Sequence, residues 1–149
     1  MRFVLILTLA TLASIPAAFA APTNKALDMQ ELTALAAKAE QATPKDRCYL
    51  YAELVSATTE LAGQQLNAGD SSDASTSLKA IQRYTAKIHA EMTGNSRKLK
   101  DAQIMMRRTA VRLKELMMNA SIDDEPTFAS TLKQLDQVQS QMMLAVFQK

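Results

Sequence analysis

Apolar residues recur every three or four positions from Leu27 to within a few residues of Lys149, with polar and charged residues between them. That spacing is the signature of amphipathic helices, and strict strand-like alternation is nowhere sustained. Five segments follow. The first spans about Lys25 to Gln41, with Leu27, Leu32, Leu35, Ala36 and Ala39 on one face. The second opens at Thr43-Pro44, a cap followed by proline at the first helical position, where its missing N–H costs nothing. Its stripe runs through Tyr51, Leu54, Val55, Leu61, Ala62 and Leu66 to a stop at Asn67–Gly69. The third, capped by Ser71 or Ser72, carries Ala74, Leu78, Ile81, Thr85, Ile88 and Met92, a heptad seam ended by Thr93-Gly94-Asn95. The fourth, capped by Asn95 or Ser96, carries Leu99, Ala102, Met106, Thr109, Leu113, Leu116 and Ala120, with Met105 and Met117 widening the stripe. The fifth starts at Pro126, capped by Asp124 or Glu125, and buries Phe128, Leu132, Leu135, Val138, Met142, Ala145 and Val146.

Short links between long helices predict antiparallel neighbours, and heptad seams predict shallow crossings of about 20°. The expected fold is all-α: an antiparallel up-down four-helix bundle with an additional short N-terminal helix. Within its seams Thr58, Thr85 and Thr109 face the core near mid-helix, and Gln139 is nearly equivalent. Two readings stand. They form a central polar layer that fixes register, or each hydroxyl bonds the carbonyl four residues back in its own helix.

The first twenty residues follow a different rule. Met1-Arg2 is a positive start, Phe3–Ile15 is nearly apolar, and Ala18-Phe19-Ala20 is a small-x-small exit. This order reads as a secretory signal peptide over 1–20, leaving 21–149 as a single helical domain. The apolar run is short for a membrane span, which needs ~20 residues. The expected location is the periplasm or the extracellular space, with no membrane span after cleavage.

Composition narrows the chemistry. The chain is near neutral, at +2, with three glycines and no tryptophan. A near-neutral balance demands no polyanion, and export argues against nucleic acid as partner. Cys48 is the only cysteine, so no intramolecular disulfide can form. It reads as a half-buried small apolar residue, or else as an intermolecular disulfide or a reactive thiol, with Arg47 and the nearby helix start favouring the thiolate; a homodimer is among the expected assemblies.

Nine methionines, several in pairs, raise copper(I) as a ligand, since the soft cation favours thioethers. His89 and Met92 are the candidate metal ligands. Against this, Met106, Met117 and Met142 fall on the apolar stripes. No Cys-x-x-Cys-His is present for covalent haem, and one histidine cannot supply the paired Glu-x-x-His set of di-iron bundles. No nucleophile–base–orienter set is apparent, so the chain reads as non-catalytic and without cofactor. The fourth helix is basic. Arg107, Arg108 and Arg112 form a candidate interaction face for a protein partner or an anionic envelope component, or else a solvated surface whose stems cover the core edge.

Three resemblances bear on role. Asp46-Arg47-Cys48-Tyr49-Leu50-Tyr51-Ala52-Glu53-Leu54 and Leu132-Lys133-Gln134-Leu135-Asp136 are similar to segments of small exported bacterial helical proteins, which implies location and fold but no activity. Asn67-Ala68-Gly69-Asp70, with Leu61, Ala62, Ala74, Leu78 and Ile81, resembles a tetratricopeptide hairpin, which implies a protein-binding helix pair. The basic, methionine-bearing, cysteine-poor composition resembles the exported helical stress chaperones, but where that family has Leu-Thr-x-x-Gln this chain has Leu32-Thr33-Ala34-Leu35-Ala36. The expected function is a protein-interaction or scaffolding module of the bacterial envelope. The alternatives are a methionine-rich copper or small-ligand carrier and a periplasmic chaperone.

Overall fold

The computed structural model describes residues 29–148. The leader, the expected helix start at Lys25 and Lys149 lie outside the described residues. Five helices occupy most of the rest: α1 (Met29–Gln41), α2 (Pro44–Ala68), α3 (Ser71–Glu91), α4 (Leu99–Met117) and α5 (Glu125–Phe147).

Local chemistry sets most of the ends. Thr43 is extended (φ −65°, ψ 150°) ahead of Pro44, and its hydroxyl donates to Asp46 Oδ2 at 2.6 Å. Gly69 takes the left-handed conformation (φ 82°, ψ 10°) that ends α2. Its N–H bonds Leu66 O, and the Asp70 N–H bonds Gln65 O, a paired closure that a Cβ at position 69 would strain.

Two caps differ from expectation. Helix α3 begins at Ser71 itself, with Asp70 at the cap position and the Ala74 N–H on Asp70 O. Helix α4 is capped by neither Asn95 nor Ser96 but by Lys98, in the left-handed region at φ 52°. The cause is tertiary. Ser96 is buried and its hydroxyl closes the 93–96 turn by accepting the Thr93 N–H at 3.1 Å. The Arg97 N–H then donates to Lys45 O at 2.8 Å, fastening the link to the start of α2.

The seams meet in one core that includes Leu54, Leu78, Ile81, Ile88, Met106, Leu113, Phe128, Leu135 and Met142, all fully buried. Helix α2 packs on α1, α3 and α4, and α5 packs on α3 and α4. The four long helices therefore form a ring in the order α2, α3, α5, α4, with α3 and α4 on a diagonal. Helices α2 and α3 run antiparallel, as the pairs Ser77–Gln65 and Arg47–Glu91 show. Helices α2 and α4 run the same way: Arg97 meets Asp46, Arg112 meets Glu60, and Leu116 packs over Gly63. Helices α3 and α5 also share a direction, with Gln82 bonded to Thr131 and His89 to Gln141. A ring in which every neighbour is antiparallel is not what these contacts describe. The 92–98 link crosses the end of the bundle, so helices successive in sequence need not be adjacent.

Thr85 and Thr109 follow the local reading, whereas buried Thr58 makes no such bond. Thr85 donates to Ile81 O at 2.8 Å and Thr109 to Met105 O at 3.0 Å, each within its own helix. Thr59 and Thr131 do the same, and Gln139 is only half-buried. One polar contact between helices joins α3 to α5, where Gln82 donates to Thr131 at 2.8 Å and accepts from Gln134 Nε2 at 3.1 Å through its backbone carbonyl.

Helix α1 packs on α2 through Leu32 and Ala39. Its C-terminal end is held by Arg47, whose guanidinium donates to the carbonyls of Ala42 and Glu40 and pairs with Glu91 at 3.2 Å. Cationic donors suit the negative end of a helix dipole. Glu40 and Lys87 form an ion pair beside this clamp, which holds the carboxyl below its ordinary range and the ammonium above it.

Candidate functional site: the outer face of α4

The inward side of α4 is fixed by its seam: Leu99, Ala102, Met106, Thr109, Ala110, Leu113 and Leu116 are all buried. That leaves Ile104, Val111 and Met118 on the outside, 38%, 57% and 80% exposed. Single exposed apolar residues are ordinary, but Ile104 and Val111 share one face of α4, and Met118 at its C-cap continues their line.

The basic residues divide into two groups. Arg112 is committed, lying 3.3 Å from Glu60 on α2 and 3.3 Å from Glu115 on its own helix. Arg97 lies 3.3 Å from Asp46, and the Lys98 ammonium sits 4.6 Å over the Tyr49 ring. Arg107 and Arg108 are different: among the described residues neither has a carboxylate within 4.0 Å. Both are exposed and both flank Ile104. On one side of Ile104 a groove of about 530 Å³ lies between α2 and α4, lined by Ser56, Thr59, Glu60, Met105 and Arg108 among others. On the other side a shallow cleft is bounded by Gln103, Arg107 and Val111. Of the basic trio expected from sequence, the structure leaves Arg107 and Arg108 available and ties Arg112 to α2.

Comparison with protein-family models, with curated proteins and with solved structures finds no match.

The metal candidates both lie at the C-terminal end of α3, His89 in its last turn and Met92 at its cap. His89 is exposed, with Nδ1 2.6 Å from Gln141 Oε1. Met92 leaves α3 with extended backbone (ψ 122°) and packs against the core. Among the described residues no three His, Cys, Asp or Glu side chains form a metal-holding group. No helix among them is long and apolar enough to cross a membrane.

Cys48 is fully buried rather than half-buried, which runs against the intermolecular disulfide: its sulfur cannot meet a second chain without local opening. Burial pushes its thiol from 9.0 up to about 11. The unfolded chain therefore ionises first. The stability this thiol contributes is complete below about pH 9 and is lost as pH rises towards 11. Between about pH 8 and about pH 10.5, urea unfolding of the wild type should fall about 2 kcal/mol further than that of Cys48→Ala. Parallel curves for the two proteins would contradict this placement of the thiol.

The sequence reading missed Ile104, Val111 and Met118. The signal was available as apolar residues seven apart that do not belong to the buried seam.

Proposed function

We propose that this chain is a non-catalytic binding module of the bacterial envelope, exported by its leader and acting through the outer face of α4. One observation carries the reading: an apolar line, Ile104, Val111 and Met118, stands in solvent beside Arg107 and Arg108, which have no salt-bridge partner among the described residues. Exposed apolar surface rimmed by unspent charge is the usual composition of a contact site. A second exposed apolar group, Met143, Leu144 and Phe147, lies in a stretch, residues 137–148, that carries no charge. Export is supported by the charge, apolar core and small-residue exit of residues 1–20.

The test uses the purified protein, with and without Arg107→Glu and Arg108→Glu, mixed with envelope extract and passed over a sizing column. The wild type is expected to elute partly in a larger complex and the double variant only as free protein. A complex that forms equally with both would overturn the assignment to α4.

A further inference from the structure

Resting on that reading and going further, we propose that the occupant of the α4 face is an acidic amphipathic helix of a partner protein. The face is built from three parallel lines, each with a seven-residue step. Ile104, Val111 and Met118 form the apolar line. Lys100, Arg107 and Lys114 run along one side of it, and Asp101, Arg108 and Glu115 along the other. All nine are exposed.

Seven residues advance a helix by about 20° less than two full turns, so each line runs nearly along the axis and drifts slowly round it. At 1.5 Å per residue the apolar line is about 21 Å long, or two heptads. A second helix crossing at about 20° stays in register with such a line over that whole length. The groove beside α2 gives one wall of its seat.

Charge then selects the partner. The Lys100–Arg107–Lys114 line is uniformly positive, and among the described residues none of the three has a salt-bridge partner. Along the other side the signs alternate, and Glu115 is already engaged by Arg112. Flanking positions of this kind set partner choice in helix pairing. The complement is a helix with an apolar seam and carboxylates every seven residues along the edge that meets the basic line.

A second copy of α4 fits less well. Laid antiparallel, its basic line meets the same basic line; laid parallel, Lys100 meets Asp101 and Lys114 meets Glu115, but Arg107 meets Arg108 at the centre and Glu115 is already held by Arg112. An anionic lipid surface would have to approach Asp101 and Glu115, together with Asp123, Asp124 and Glu125 in the link after Met118.

The test uses two synthetic helical peptides of about three heptads, with leucine seams and either glutamate or lysine flanks. Binding to the full chain is read by fluorescence anisotropy. The glutamate peptide should bind and the lysine peptide should not. Ile104→Ser with Val111→Ser should weaken binding at least tenfold while leaving the melting curve unchanged. Arg107→Glu with Lys114→Glu should transfer preference to the lysine peptide, a reversal that a merely destabilised variant cannot produce.

Equal binding of both peptides, or binding of neither, overturns the acidic-helix assignment. Binding of phosphatidylglycerol vesicles, or self-association by sedimentation, that depends on Val111 while the glutamate peptide stays free would overturn it too, yet leave α4 as the contact face. No dependence on α4 for any of these ligands would overturn both readings.

Discussion

Phe128→Ala is expected to lower the unfolding free energy by about 3–5 kcal/mol, the usual cost of removing a buried aromatic ring. Phe128 is fully buried in the first turn of α5, and its N–H bonds Asp124 O at 3.1 Å. The backbone there is fixed by the cap and by Pro126, so the chain cannot easily close over the missing ring. Domains of this size are stable by about 5–15 kcal/mol, so the loss is a large share of the total. Urea unfolding should show a lower midpoint at an unchanged slope. A loss below about 1 kcal/mol would mean that the ring is not packed as described.

Gly63→Leu is expected to cost about 1–3 kcal/mol and to loosen α4 selectively. Gly63 lies in the C-terminal third of α2, where Leu116 and Arg112 of α4 come against it. A Cβ there would sit 3.1 and 3.3 Å from the Leu116 methyls and 3.5 Å from an Arg112 nitrogen. One carbon already asks Leu116 to give way. A leucine asks α4 to move, which pulls Arg112 from Glu60. Gly63→Ala sets the same contact against a gain in helix propensity of about 1 kcal/mol, and the two should nearly cancel. Thermal melts give the stability of each variant. Amide exchange should show α4 opening in Gly63→Leu ahead of α3. If the leucine variant melts like the wild type, α2 and α4 do not meet at this glycine.

The helices and most of their boundaries were legible because a 3.6-residue period, a Thr-Pro start and a left-handed glycine are local facts. What covers each stripe was not. The seams of α2 and α4 say that both bury a face, but nothing in either says that the two lie side by side and parallel. That follows from the 92–98 link and from the Arg97–Lys45 bond that fastens it. The same bond explains why Ser96, a good cap by composition, is spent inside the link while Lys98 takes the cap. Thr85 and Thr109 were ambiguous for a related reason, since a core-facing hydroxyl can turn to its own helix or across the bundle. Arg107 and Arg108 were legible as charges. What sets them apart from Arg112 became visible only once that residue was seen bound to Glu60 and the line through Val111 was seen in solvent.

On the proposed reading the outer face of α4 is covered by a partner in the envelope. Site-specific photo-crosslinking addresses this, with the reactive residue placed at Val111 and, as a control, at exposed Lys79 on α3. One discrete adduct is expected from position 111, lost when Arg107 is changed to glutamate, and none from position 79. No adduct at 111, or the same adducts from both positions, would contradict it.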